Sequence, residues 1–331
     1  GAYADDDKGT SSGSAYIFKR DGETWSEQTK LLASDGAAYD IFGISVSISG
    51  NFAIVGAYQD DDNGSLSGSA YIFTTNDVDP NKWDQVTKLT ASDAAASDRF
   101  GWSVCISGDY SIVGALGDDD NGSSSGSAYI FKHDGETWSE HVKLIAADGA
   151  ADDWFGRSVS ISGDYAIVGA NGDDDNGSYS GSAYIFERDG TGWSEQAKLT
   201  ASDGATYDYF GYSVSISGSY AIAGANSEDG SHFGSSYIFK RSDDITNPNW
   251  YEHAKLTASD GATGDDFGYS VSISSSYAIV GAYGDDDNGS LSGSVYMFGK
   301  VLCPSMDVTG DCFVNFFDFA PLADQWLQSV Q

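Results

Sequence analysis

Short runs of carboxylate side chains recur along this chain and could hold cations. Five loops read Asp-Asp-Asp, then Asn or Lys, then Gly, and a sixth reads NSEDGS. Crowded carboxylates repel one another, and a cation such as Ca²⁺, which prefers oxygen ligands, removes that cost. The runs predict either a calcium-binding face or an acidic rim of residues that simply make good turns. The candidate residues are Asp60, Asp61, Asp62, Asp118, Asp119, Asp120, Asp173, Asp174, Asp175, Asp285, Asp286 and Asp287.

One further acidic stretch, near the end of the chain, has the spacing of a calcium loop. Oxygen-bearing residues stand at positions 1, 3, 5 and 12 of the stretch, and position 7 can supply a backbone carbonyl. This is the ligand spacing of an EF-hand, with Asp in place of Glu at position 12. An apolar helical pattern follows, so the alternative is a plain turn before a helix. The predicted calcium ligands are Asp307, Thr309, Asp311, Phe313 and Asp318.

Catalytic motifs are missing from the sequence. The four His residues form no HExxH motif, and there is no Cys-rich metal pattern. The motif FGxSVS is not a nucleophile elbow. That elbow reads GxSxG, whereas the stretch here reads GxSVS and ends in Ser in place of the second Gly. Carboxylates are so numerous that no pair stands out as an acid and a base. We therefore predict that the protein is not an enzyme and has no catalytic residues.

A repeat of about 55 residues carries the acidic loops. Each copy reads FGxSVSIS, YAIVGA, an acidic loop, GSAYIF, and then a segment with Trp and KLxASDG. A fixed period of this length indicates stacked units that bury a core only against their neighbours. The Phe-Gly pairs that mark the structural repeat are Phe42 and Gly43, Phe100 and Gly101, Phe155 and Gly156, Phe210 and Gly211, and Phe267 and Gly268.

Each copy predicts four antiparallel strands, for example over 42–49, 52–57, 68–73 and 83–89. Such a unit is a propeller blade, whereas a β-helix, a β-sandwich or a string of small domains fits less well. The third strand occurs six times and the Phe-Gly and Trp strands five times each. We expect an all-β propeller with an incomplete first blade, about five or six blades present, and six or seven in the full protein. Residues 1–300 form this domain, and 301–331 form a separate short helical calcium-loop module.

Other repeated residues suit structural roles. We expect both repeated Asp sets, one placed two positions before each Phe and one in the preceding SDGA motif, to accept hydrogen bonds from turn amides and to hold blade to blade. The repeated Trp is predicted to pack between blades. Trp102 and Trp154 are not repeated and are predicted to line a ligand surface. The two Asp sets are Asp40, Asp98, Asp153, Asp208 and Asp265, and Asp35, Asp93, Asp148, Asp203 and Asp260.

Charge restricts the partners. The net charge of −34 over 331 residues disfavours nucleic acid and anionic membrane surfaces, which need clustered Lys and Arg. No apolar run approaches a membrane span, so we expect no membrane insertion in this segment. Residue 1 lies inside a repeat and is not Met, so we expect a processed or truncated chain whose signal peptide is not in this segment. A disulfide between Cys303 and Cys312 would fit an oxidising compartment.

The Phe-Gly strand followed by VGA resembles the FG-GAP repeat of integrin α-chain propellers and bacterial surface proteins, over residues 1–300. Integrin repeats carry a calcium cage between these two strands, and here that connection is too short, so the family's calcium site is not implied. The bacterial variant occurs in large exported proteins. The C-terminal stretch resembles one dockerin repeat, which implies a cohesin-like partner, although dockerins have two copies and position 3 here is Thr309.

The sequence therefore predicts a calcium-binding, non-enzymatic adhesion or binding propeller, secreted or at the cell surface, with a docking or attachment module. Its partner would be a protein or a glycan. One alternative is a component of an extracellular polysaccharide-degrading assembly that binds glycan and docks through its tail. A second alternative is a structural spacer of a larger surface protein.

Overall fold

The computed structural model describes residues 1–75, 79, 81–190, 192–227, 233–244, 249–287 and 289–299. Over these residues it contains twenty-one strands, arranged in six antiparallel sheets that follow one another along the chain. Each sheet is called a blade below. The first has two strands, the next four have four each, and the last has three. The strands are, in blade 1, β1 Ala15–Asp21 and β2 Thr24–Leu31; in blade 2, β3 Val46–Ser49, β4 Phe52–Ala57, β5 Ser69–Thr75 and β6 Trp83–Leu89; in blade 3, β7 Phe100–Ser107, β8 Tyr110–Ala115, β9 Ser127–His133 and β10 Trp138–Leu144; in blade 4, β11 Ser158–Ser162, β12 Tyr165–Ala170, β13 Ser182–Asp189 and β14 Gly192–Leu199; in blade 5, β15 Phe210–Ser217, β16 Tyr220–Ala225, β17 Ser235–Arg241 and β18 Trp250–Leu256; and in blade 6, β19 Phe267–Ile273, β20 Tyr277–Ala282 and β21 Ser294–Gly299.

The predicted all-β arrangement of four-stranded antiparallel blades is confirmed. Strand order within a complete blade follows the sequence, as in β3-β4-β5-β6. The first blade lacks its two opening strands among the described residues, and the last lacks a Trp strand, as the uneven count of motifs predicts. The predicted first strand over 42–49 is longer than the observed β3, which begins at Val46.

Burial follows the strand's place in the blade. The second strand of each four-stranded blade is apolar on both faces, and Ile112 and Val113 in β8 are fully buried because a neighbouring blade covers each face. The first strand alternates, so that Val104 and Ile106 are buried while Ser107 is partly exposed. Residues with β-branched and aromatic side chains suit such a surface.

Each hydrophobic core lies between two successive blades. Phe155, Val159 and Tyr184 of blade 4 pack on Ile112 and Ile130 of blade 3. The ring of each repeated Phe also makes edge contacts with two aromatic rings of its own blade, as at Phe155. Because a blade buries its apolar surface on its neighbours, the array is stable only as a stack.

Near each end of the described stack, a strand that no neighbouring blade covers exposes its apolar side chains. Val46 and Ile48 in β3 are 48% and 56% exposed, although their counterparts in the next blade are buried, because blade 1 offers no first strand to cover them. In β21, Val295 and Met297 are 72% and 68% exposed. An uncovered apolar sheet face therefore lies at each end of the described stack.

The repeated Trp packs between blades, as predicted, wherever a preceding blade offers an aromatic partner. The Trp138 ring meets Phe52 of the preceding blade edge-on at 5.4 Å, and Trp193 and Trp250 make equivalent contacts. Trp25, in the first blade, is 67% exposed.

The predicted C-terminal module falls outside the described residues. This applies to the helical calcium-loop tail, to the ligands Asp307, Thr309, Asp311, Phe313 and Asp318, and to the pairing of Cys303 with Cys312. These remain predictions.

Candidate functional site

In blades 2, 3 and 4 the acidic loop connects the second strand to the third, and hydrogen bonds within the loop hold its two ends together. In blade 3, the carbonyl of Asp118 accepts a hydrogen bond from the amide of Gly126 at 2.8 Å, and its Oδ1 accepts one from the amide of Asp120 at 3.1 Å. Asp119 instead caps the far side of the loop by accepting from the Ser124 amide. The first and third Asp of the loop therefore turn inward, and the second does not join them.

A lysine ammonium group lies among three carboxylates in each of blades 2, 3 and 4. Lys143 Nζ is 2.9 Å from Asp118, 2.6 Å from Asp120 and 2.8 Å from Asp93 of the preceding SDG segment. The other two clusters repeat this geometry at 2.5–2.9 Å. We call these three clusters the lysine-centred triads: Lys143 with Asp93, Asp118 and Asp120; Lys88 with Asp35, Asp60 and Asp62; and Lys198 with Asp148, Asp173 and Asp175.

A tyrosine completes each triad. The hydroxyl of Tyr129 lies 2.8 Å from Asp118 and 2.9 Å from Asp93, and Lys143 Nζ stands 5.2 Å from the centre of the same ring. Burial alone would lower the pKa of Lys143, but its three carboxylate partners outweigh that effect and raise it. Burial would likewise raise the pKa of Asp93, and hydrogen bonds from Lys143 and Tyr129 instead lower it.

Calcium does not fit the triads as they stand. Their donor set is right for calcium, since it consists of carboxylate oxygens close enough together to share one ion. The centre, however, is already filled by an ammonium group that makes short contacts to all three carboxylates. The predicted clustering of acidic residues is thus present, and the cation among the carboxylates is the ammonium group of a lysine in the same chain.

The remaining loops are only partly built in this way. Lys30 pairs with Asp5 and Asp7 in blade 1. In blade 5, Lys255 pairs with Asp203 at 2.6 Å. Blade 6 has no Trp–Lys strand among the described residues, and there the hydroxyl of Tyr296 lies 2.8 Å from Asp260 and 3.0 Å from Asp285. The lysines were not predicted as site residues. Their signal in the sequence is that they recur in register in a chain with only 16 Lys and Arg.

The Asp two positions before each Phe-Gly pair holds a turn, as predicted. Asp98 and Asp153 accept hydrogen bonds from the amides of Ala95 and Ala150 at 2.6 and 2.7 Å. Burial raises the pKa of both carboxyl groups to about 6, because it disfavours the charged form more than the single amide favours it. These residues are structural, and they also make folding depend on pH.

We predict that the free energy of unfolding is greatest near pH 4 and falls as the pH rises towards 6. Asp98 and Asp153 bind a proton more tightly when folded, so their burial destabilises the folded state above pH 6, and the cost vanishes as the pH falls towards 4. Asp93 and Asp148, whose pKa is lowered, stabilise it at higher pH and lose that effect as the pH falls below about 4. Urea unfolding from pH 3 to pH 8 at constant ionic strength measures the profile. Stability that climbs from pH 5 to pH 8 would contradict it, and Asp98→Asn should flatten the slope above pH 5.

A second group of side chains joins successive blades through aromatic and cation–π contacts. The ring of Tyr58 lies 4.6 Å from that of Trp102. The Arg157 guanidinium sits between Trp102, at 4.9 Å, and Tyr212, at 4.3 Å. The series continues from Tyr212 to Tyr269 at 5.2 Å, and Tyr269 stacks on Tyr283 at 4.9 Å. Such contacts hold flat groups in fixed orientations.

Four more aromatic residues form a neighbouring stack. The Tyr179 ring lies 5.5 to 5.8 Å from those of Trp154, Tyr207 and Tyr209. Between the two groups opens a cleft of about 440 Å³. We call the whole the aromatic–arginine surface; it comprises Tyr58, Trp102, Arg157, Tyr212, Tyr269 and Tyr283, the stack of Trp154, Tyr179, Tyr207 and Tyr209, and the cleft residues Arg99 and Asn171.

Asn171 gives this cleft an unused polar group. Its side chain is 3% exposed, and its Oδ1 has no hydrogen-bond partner among the described residues. A buried acceptor without a donor is costly, so such an atom calls for a partner that the described residues do not supply. The sequence singled out Trp102 and Trp154, and the structure brings both to the cleft. No sequence pattern predicted Arg99, Arg157 or Asn171 as residues of the cleft.

The aromatic–arginine surface is where the repeats differ. The residue after each Phe-Gly pair is Ile, Trp, Arg, Tyr or Tyr, although the next residue is always Ser. The residue before the pair also changes, yet Arg99, Trp154 and Tyr209 all have a left-handed backbone with φ of 54–57°. Each is held there by a backbone hydrogen bond to the preceding acidic loop, as from Trp154 to Ser124. The fold thus presents different side chains from one fixed and unfavourable backbone shape.

Comparison with known proteins identifies the repeat. The model of the FG-GAP repeat matches five times, over residues 25–73, 83–131, 138–186, 193–239 and 250–298, which together make up more than half of the chain. The chain belongs to the FG-GAP repeat family. Each FG-GAP match begins at the Trp strand of one blade and ends in the third strand of the next. The family's repeat therefore spans one inter-blade core, and the predicted FG-GAP propeller is confirmed at this level.

The wider comparisons bear on the fold of these FG-GAP repeats. No curated protein matches the chain. Among solved structures, a functionally unknown protein from Desulfotomaculum acetoxidans DSM 771 is similar, with a TM-score of 0.53 and 10% identity, over 86% of this chain and 75% of that one. No helix in the described part of the chain is long and apolar enough to cross a membrane.

Proposed function

We propose that the protein is a non-enzymatic, exported or cell-surface propeller that binds a ligand on its aromatic–arginine surface. The observation that carries this proposal is the contrast within the repeats. Strand, turn and core residues are nearly constant from blade to blade, whereas the Trp, Tyr and Arg that differ gather around one cleft. These are the residue types that dominate binding energy at interfaces. Trp and Tyr bury a large area with few rotatable bonds, and Arg offers a planar set of hydrogen-bond donors. FG-GAP propellers are typically binding modules of extracellular proteins, which agrees with this role.

The chemistry of the cleft favours a neutral, hydroxyl-rich ligand, and we propose a glycan. Arg99 and Arg157 disfavour a cationic ligand, and the chain's charge of −34 disfavours a polyanion. The free Oδ1 of Asn171 needs a donor, which a sugar hydroxyl supplies. Sugar rings present C–H groups that pack on aromatic faces, and the series from Tyr58 to Tyr283 offers several such faces in succession.

Replacing Trp102 by alanine is expected to weaken glycan binding at least about tenfold, because it removes one stacking face and frees the Arg157 guanidinium from its cage. The measurement is affinity electrophoresis of the full chain in gels that contain neutral polysaccharides, either soluble β-glucan or xylan, with alginate as an acidic counterpart. Trp154→Ala should act in the same direction.

Trp25→Ala is the matched control, since that Trp is exposed in the first blade and lies outside the surface. Equal retardation of the Trp102 and Trp25 variants would contradict the proposed site. Retardation by alginate alone would contradict the neutral ligand, and binding to immobilised surface proteins without any glycan would indicate a protein ligand instead.

A second candidate function is a component of a polysaccharide-degrading assembly that binds glycan through the blades and docks through its tail. The spacing of Asp307, Thr309, Asp311, Phe313 and Asp318 favours it, because a dockerin-like loop would bind calcium and a cohesin-like partner. Calcium in this proposal belongs to that loop. Calcium-dependent binding to a cohesin, lost in Asp307→Ala, would support this function. A structural spacer, the remaining alternative, predicts no ligand for either region.

A further inference from the structure

We infer that the lysine-centred triads are cation sites whose resident cation is a lysine of the chain itself, so that ammonium groups, and not calcium, tie these blades together. Three consecutive blades show the same arrangement. In each, one Nζ contacts three carboxylates at 2.5–2.9 Å, and the first Asp of the acidic loop is at most 4% exposed.

A β-bulge delivers each lysine to its triad. The register between the third and fourth strands shifts once in every complete blade, between Glu140 and Val142 in blade 3. Beyond the shift, Lys143 pairs opposite Tyr129 across the ladder, and its side chain passes over that ring towards the acidic loop. Bulges re-aim side chains in this way. The repeated bulge therefore directs the repeated Lys side chain towards the acidic loop.

Each lysine joins three separate segments. Lys143 lies in the fourth strand of blade 3, Asp118 and Asp120 lie in the loop of the same blade, and Asp93 lies in the linker from blade 2. A calcium ion would make the same junction only where free calcium is available. An intramolecular ammonium makes it at any calcium concentration, because the cation cannot dissociate from the chain.

The experiment compares Lys143→Met with the wild-type full chain, by thermal melting and calcium titration calorimetry with and without a chelator. Met keeps the length of the side chain and leaves three carboxylates without their cation. We expect Tm to fall by about 5 °C or more. We also expect added calcium to restore part of that loss, with one more calcium bound than in the wild type. Because both proteins carry the 307–318 loop, its calcium cancels in the comparison.

Lys82→Met is the matched control, since Lys82 is 61% exposed and pairs with Asp84 on the surface. A Tm loss in Lys143→Met no larger than in Lys82→Met would overturn the inference. So would a calcium ion in the wild type that is lost in Asp120→Asn, because calcium would then already occupy the triad.

A labelling experiment keeps the inference testable if Lys143→Met fails to fold. In the folded wild type, acetylation read by mass spectrometry should leave Lys88, Lys143 and Lys198 at least about tenfold less modified than Lys82. Saturating calcium should not change that ratio. Equal modification of the four lysines, or release of the three by calcium, would overturn it.

Discussion

Substituting Gly101 by alanine is expected to cost more than about 3 kcal/mol of folding free energy, because a methyl group there collides with backbone. Gly101 follows the repeated Phe at the joint between blades 2 and 3, with φ of +87°. An added Cβ would lie 2.1 Å from the carbonyl oxygen of Ser69 in the neighbouring blade. Neither backbone can retreat, since each is fixed in its own sheet. Urea unfolding followed by circular dichroism measures the loss.

Gly108 supplies the control for this prediction. It also has a positive φ, of +57°, but it lies in an open hairpin turn where an added Cβ meets nothing within 4 Å. Its replacement by alanine should cost only about 1 kcal/mol, the price of the backbone conformation alone. Similar losses in Gly101→Ala and Gly108→Ala would show that backbone conformation, and not close packing of blades, explains the Phe-Gly motif.

Truncating Phe155 to alanine is expected to destabilise the protein by about 3–5 kcal/mol. The ring is 1% exposed, lies in the core between blades 3 and 4, and makes edge contacts with Tyr184 and Phe186 at 5.4 and 6.0 Å. Removing the ring leaves a cavity. The cavity cannot collapse, because the hydrogen-bonded sheets around it keep their strand spacing. Phe18→Ala, at a ring 53% exposed, should change stability by less than about 0.5 kcal/mol.

The loss of stability in the Phe155 variant should be local. Because each blade is coupled only to its neighbours, blades 3 and 4 should lose protection from hydrogen exchange first. Amide hydrogen exchange should therefore rise in β8–β9 and β12–β13 before it rises in β19–β20. Uniform loss of protection across all blades, or a stability change in Phe155→Ala as small as in Phe18→Ala, would refute this account of the core.

Much of the fold could be predicted because its physics is local and repeated. The strand over Trp83–Leu89 was predicted at its observed bounds, and the alternation of Ile and Val with Ser indicated which face is buried in the first strands β7, β11 and β15. Two first strands are shorter than predicted, because β3 begins at Val46 and β11 at Ser158, a few residues after the Phe at which the repeat predicts the start.

Function was less accessible from the same patterns. The repeated acidic runs drew attention because carboxylates attract cations, and the sequence could not say which cation stands beside them. Trp102 and Trp154 stood out as unrepeated aromatic residues. Arg157, between two rings, did not, because an Arg in one copy of a repeat looks like ordinary surface variation.

The sequence by itself determined the period, the strand types, the uneven first and last blades and the acidic charge, because each depends on residues adjacent in the chain. Only the tertiary structure decided that Lys143 fills the acidic cluster. Its partners Asp118 and Asp93 are 25 and 50 residues away, and they meet only after a bulge aims the lysine and two blades stack. The aromatic–arginine surface arises in the same way, since Trp102, Arg157 and Tyr212 come from three different blades and meet only when the blades stack.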